Sequence, residues 1–109
     1  MSMKLIIAIV HSDDAQGVIS EISMAGYSAT KLSTTGGFMR AGNTTLLIGV
    51  EQEQVDNVIE LIGKRAHSHK QVVSGFPGRS EGSVSSVPFE VNVGGATVFV
   101  VDVDKFVKL

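Results

Sequence analysis

Two glycine-framed segments hold the side chains best suited to chemistry. The first is Thr34-Thr35-Gly36-Gly37-Phe38-Met39-Arg40-Ala41-Gly42-Asn43-Thr44-Thr45. Paired glycines expose consecutive backbone N–H groups and allow close approach, hydroxyls and Asn43 supply hydrogen bonds, Arg40 offers a phosphate fork and Phe38 an aromatic plane for a base. Those are parts for holding a nucleotide. The same residues also make a bent strand with a glycine bulge, leading into a turn whose Gly-Asn tip takes positive φ. Spacing alone favours the turn, because the segment contains neither the phosphate-loop lysine nor the dinucleotide fingerprint. The second segment, Val93-Gly94-Gly95-Ala96-Thr97-Val98-Phe99, poses the same choice between close backbone approach to a ligand and a plain hairpin turn. Spacing again favours the turn.

The other candidates are thinner. His67-Ser68-His69 places two imidazoles on one side of an extended segment, with His11 elsewhere in the chain. Metal ligation needs a third donor and groups that orient the rings, and solvated histidines at a helix end are commoner. This pair defines an alternative function, a trimeric structural or metal-handling module without nucleotide binding. Asp102 and Asp104 stand at strand spacing, a pattern that serves acid–base work less often than strand ends and turns. No serine sits in a nucleophile elbow and no histidine is obviously paired with one, so residue chemistry makes no positive case for an enzyme.

The elements that would carry these segments follow from the apolar pattern. Leu5-Ile6-Ile7-Ala8-Ile9-Val10 is a continuous β-branched run, the mark of a strand covered on both faces. Ser12-Asp13-Asp14 offers an N-cap and first-turn carboxylates, and Ala15, Val18, Ile19 and Ile22 follow at helical spacing up to Gly26. Residues 27–38 and 44–50 read as two strands around a Gly/Asn tip. Val55, Val58, Ile59, Ile62 and Ala66 predict a second helix with Lys64, Arg65 and His67 in its last turn, where cations suit the helix dipole. Residues 74–88, rich in Ser and Gly, predict a long loop of about 14 residues, beyond the usual connection length. Phe89–Val93 and Ala96–Val103 then predict a hairpin closed by Gly94-Gly95.

The order β-α-β-β-α-β with an extra C-terminal hairpin is the α+β, ferredoxin-like split βαβ sandwich. At 109 residues and 11.5 kDa the chain is one domain, 1–109. With 43% apolar and 18% charged residues it folds rather than staying disordered. Twelve glycines and few aromatics leave a small core and little interior for a private active site. Net charge −2 argues against nucleic-acid polymers and polybasic membrane contacts. The absence of cysteine excludes disulfides and thiol chemistry and fits a reducing cytoplasm. The apolar stretch of residues 5–10 is too short to insert in a membrane. Two helices protect only one face of a four-stranded sheet, yet Leu5–Val10 and Val98–Val103 are apolar on nearly every residue. The second face therefore predicts a homo-oligomer.

Taken together, Met3-Lys4-Leu5-Ile6-Ile7-Ala8-Ile9-Val10, Ala29-Thr30-Lys31-Leu32, Thr34-Thr35-Gly36-Gly37-Phe38, Ala41-Gly42-Asn43-Thr44-Thr45 and Glu90-Val91-Asn92-Val93-Gly94-Gly95-Ala96-Thr97-Val98-Phe99-Val100 resemble the PII-like cyclic di-AMP receptors over essentially the whole chain. The resemblance implies a non-catalytic homotrimer that binds cyclic di-AMP in clefts between subunits, needs no cofactor and passes its signal to a downstream protein. It places the ligand on Thr30, Gly37, Phe38, Met39, Asn43, Gly49, Gly95 and Phe99. Two departures weaken the match to the ligand. The family carries an Asn at the end of the first helix and an Arg two residues before the Thr-Lys-Leu, and this chain has Gly26 and Ser28. Losing such an Arg costs on the order of 1–3 kcal/mol of base recognition, about ten- to a hundredfold in affinity.

Overall fold

A computed structural model describes residues 2–32, 42–74 and 88–109. The chain runs β1 (Met3–His11), α1 (Ser12–Met24), β2 (Thr30–Lys31), β3 (Asn43–Glu51), a 3-10 turn (Gln52–Gln54), α2 (Val55–Arg65), β4 (Ser68–Ser74), β5 (Pro88–Gly94) and β6 (Ala96–Val103). Four strands form one antiparallel sheet in the order β2-β3-β1-β6, and β4 and β5 form a separate two-stranded ribbon. The α+β class and the split βαβ order of the main sheet match the expectation.

β1 forms because β-branched residues fit a pleated surface, and its alternation divides the fold. Ile6, Ala8 and Val10 point to the helices and are buried, as are Leu46, Ile48 and Val50 on β3. Ala15, Val18 and Ile22 of α1 and Val58, Ile62 and Ala66 of α2 close the core from above. Each fully buried Ile or Leu contributes about 1.5–3 kcal/mol. The helices are also tied to each other: Arg65 Nε donates to Glu21 Oε2 at 3.0 Å. Arg65 lies across Gly17, where a Cβ would meet its guanidinium at 3.2 Å.

The start of α1 differs from the sequence expectation. β1 extends to His11, whose backbone is still extended, and His11 rather than Ser12 is the N-cap, its Nδ1 accepting from the Asp13 N–H at 3.3 Å. Ser12 is already helical. Its hydroxyl pairs with the Thr44 hydroxyl at 2.8 Å and its N–H donates to the Gly42 carbonyl at 2.6 Å. These two bonds fix the entry to β3 against the first turn of α1.

The expected C-terminal hairpin is corrected. β5 does not pair with β6: it pairs with β4, from Ser68 opposite Gly94 to Ser74 opposite Pro88. β6 instead pairs with β1, from Met3 opposite Val103 to Val10 opposite Ala96. The physical reason is pairing: beside β1 the run Ala96–Val103 joins a four-stranded sheet over eight register pairs, whereas an isolated two-stranded ribbon is marginal in water. Gly94 and Gly95 both have positive φ, +75° and +99°, so they redirect the chain from ribbon to sheet rather than closing a turn between the two strands. Residues 75–87 of the expected 74–88 loop, and 33–41 of the first glycine segment, lie outside the described residues.

The face of the sheet away from the helices carries Leu5, Ile7, Ile9 and Leu47. On β6, Phe99, Val100 and Val101 are 52%, 41% and 43% exposed. An edge strand this apolar, open on its outer side, is one that soluble monomers normally blunt with charge or cover.

Candidate functional site on the outer face of the sheet

Register places the candidate residues. Thr30 is opposite Leu47, Leu47 opposite Ile7, and Ile7 opposite Phe99, so all four stand in one row across the outer face. Thr30 and Phe99 occupy its two ends, three strand spacings or about 14 Å apart. Within one chain they do not meet. Gly49, exposed on β3, lies two residues from Leu47 on the same face, and a Cβ there would meet nothing within 4 Å. The β2–β3 register, continued two residues, aligns Ser28 with Gly49.

Asn43 and Gly95 are the two candidates that the described structure brings together. They line a groove of about 330 Å³ at the other end of the sheet, with Ile9, His11, Ser68 and Thr97 also in its wall. Here the outer face changes character: Leu5, Ile7 and Ile9 give way along β1 to His11, which is opposite Asn43. Asn43 is held where it is because Gly42, at φ +92°, turns the chain and offers its carbonyl to Ser12. Gly95 packs against Ser68, whose Cβ lies 3.1 Å from where a Gly95 Cβ would be. Any side chain at 95 would push into the junction of ribbon and sheet. Gly37, Phe38 and Met39 lie outside the described residues.

Sequence reading weighed His11 and Ser68 only within the metal alternative and did not place them beside Asn43 and Gly95. His11 was legible: the period-2 alternation that buries Ile6, Ala8 and Val10 sets Ile7, Ile9 and residue 11 on the other face. Ser68 was not, because the ribbon strand β4 carries no apolar alternation to mark it.

The weaker candidates find simpler roles. Asp102 forms an ion pair with Lys4, its register partner on β1, so its carboxylate ties two strands together. Asp102 and Asp104 line a polar hollow of about 540 Å³ with Ser2, Lys4 and Phe106, at the opposite end of β1 from the groove. His67 Nδ1 lies 3.1 Å from the Gly63 carbonyl, in the usual manner of a residue at a helix end. Among the described residues no three His, Cys, Asp or Glu side chains cluster as a metal would require. Among them too, no helix is long and apolar enough to cross a membrane.

The fold is that of a small PII-like α+β protein. A crystal structure of Arabidopsis thaliana PII bound to citrate matches 98% of this chain and 80% of its own with TM-score 0.59, at 20% identity, which speaks for the fold alone. A second crystal structure, of a functionally unknown protein from Pediococcus pentosaceus ATCC 25745, is similar at TM-score 0.74 and 41% identity over 100% of this chain and 99% of that one. The chain belongs to the cyclic-di-AMP receptor family, whose model matches residues 3–109. Membership sets it among non-catalytic binding proteins.

Proposed function

We propose that this protein is a non-catalytic sensor of a cyclic dinucleotide, cyclic di-AMP, working as a cytoplasmic homotrimer with the ligand in the clefts between subunits. The observation that carries the reading is family membership over residues 3–109. The geometry supports a shared site: Thr30 and Gly49 stand near one edge of the sheet and Phe99 on the other, so a cleft where the edge of one copy meets the edge of the next would collect them. The exposed apolar face supplies the reason to assemble, since burying it returns about 25 cal/mol per Å². In this reading Phe38 and Phe99 face the adenine rings, Thr30 and Asn43 bond base edges or phosphate oxygens, and Gly37, Gly49 and Gly95 let backbone come close, with Met39 alongside. Binding alters the order of residues 39–43 and 74–88, and a downstream protein reads that change.

Calorimetric titration of the purified protein with cyclic di-AMP, ATP and cyclic di-GMP tests the reading. It predicts heat with cyclic di-AMP, one ligand per chain. Silence from all three up to millimolar ligand would remove the sensor function.

A further inference from the structure

Resting on the nucleotide-sensor reading, we propose that Tyr27 is a positioning residue for the ligand: its hydroxyl fastens the segment after α1 to the start of α2 and so holds Thr30 in place. Thr30 needs such a hold. It sits on β2, an edge strand of two residues whose one neighbour in the sheet is β3, where it pairs with Leu47. Beyond it, the Leu32 N–H donates to the Thr45 carbonyl at 2.9 Å. So short a strand carries few ladder bonds, and the chain on its N-terminal side has to share in fixing it.

That chain is anchored at one residue. α1 ends with Gly26 at φ +94°, and the Tyr27 N–H turns back to the Ile22 carbonyl at 3.1 Å, the closing bond of a glycine-terminated helix. The Tyr27 ring is partly buried and packs against the core with Ala29, while Thr30 stands in the row on the outer face. The hydroxyl then reaches the other helix: it donates to Gln54 Oε1 and accepts from Asn57 Nδ2 at 3.0 Å. A phenol does both at once, so donor and acceptor together set the direction of the ring. Gln54 occupies the N-cap of α2, yet its side chain caps nothing there; its amide oxygen serves Tyr27 instead. The anchor is firm, because Val55 packs against the core and Val58 is fully buried. Tyr27 and Thr30 are separated by at most about 10 Å of chain, so freedom at the ring passes to Thr30 with little slack. A site held in its bound arrangement before the ligand arrives spends less on ordering when it binds.

The test is calorimetric titration with cyclic di-AMP of the native chain, Tyr27→Phe, Thr30→Ala and the double variant. Tyr27→Phe keeps the ring in the core and should fold with native circular dichroism, its melting midpoint lowered by less than about 8 °C through loss of the hydroxyl's hydrogen bonds. It should bind about three- to tenfold more weakly. A residue that acts through Thr30 costs nothing further once the Thr30 hydroxyl is gone, so the double variant should bind as Thr30→Ala alone does. Gln54→Ala with Asn57→Ala leaves the ring in place and should reproduce the loss, which keeps the coupling measurable if Tyr27→Phe does not fold. Native affinity in Tyr27→Phe, or losses that add in the double variant, overturns the inference while leaving the sensor function intact. Absence of binding by the native chain removes the sensor function and the inference with it.

Discussion

Phe99 is more than half exposed on an edge strand, in a molecule with only five phenylalanines and no tryptophan. A large apolar ring left in water by the fold is available to a base or to a second copy of the chain. If it and Phe38 carry the stacking, Phe38→Ala abolishes detectable binding and Phe99→Ala weakens it by about ten- to a hundredfold, stacking being worth about 1–3 kcal/mol per base. Unchanged calorimetric affinity in either variant would remove that residue from the site. Ser28 and Gly26 make the reverse experiment. Gly26 has φ +94° with open space where a Cβ would stand, and Asn is among the few side chains that tolerate that conformation. Gly26→Asn with Ser28→Arg should therefore cost about 1 kcal/mol of stability through backbone strain at 26 while tightening cyclic di-AMP binding about ten- to a hundredfold. An unaltered dissociation constant would show that positions 26 and 28 do not limit recognition of the ligand.

The central strands carry the fold energetically. Ile48, fully buried on β3 between the helices and the neighbouring strands, is a direct probe: Ile48→Ala should destabilise the protein by about 2–5 kcal/mol in a denaturant titration. A loss below 1 kcal/mol would mean that the core tolerates the cavity. The elements were legible in proportion to how strongly burial marks them. Leu5–Val10 announced the central strand, and the 3.6-residue spacing of Val55, Val58, Ile59 and Ile62 announced α2. The ribbon was not legible as such. In Ser68–Ser74 the adjacent Val72 and Val73 are the only apolar residues, and Gly94-Gly95 has the positive φ that a two-residue hairpin turn also demands, so local chemistry pointed β5 at the wrong partner. Only the competition for a place beside β1 decides between β5 and β6, and that competition is a property of the whole sheet. The N-cap moved for a similar reason, because pairing with Asn43 holds His11 in β1 and leaves Ser12 to the helix. Of the candidate site, Phe38, Asn43 and the paired glycines stand out by residue type, whereas Thr30 and Gly49 come only from the resemblance. The separation of Thr30 and Phe99 to opposite edges of one sheet was not legible, since register appears only once the strand order is known.

Across the whole molecule, the separation of Thr30 from Phe99 and the exposed apolar face ask for the same answer, a second copy of the chain. Ile7 lies at the middle of the row that joins them, on the central strand, away from the helix core. Ile7→Lys should leave the secondary structure in place while breaking the assembly, read as a fall in mass by light scattering and loss of cyclic di-AMP binding. An assembly of undiminished mass would show that subunits meet elsewhere. In the proposed assembly, burying the face also reconciles twelve glycines and a small core with a binding function, because a shared site need not fit inside one chain. The most direct test is native mass spectrometry of the protein titrated with cyclic di-AMP. The account predicts a species of about three times 11.5 kDa that takes up as many as three ligands. A single chain that binds the ligand on its own, or an assembly that takes up none at millimolar concentration, would contradict it.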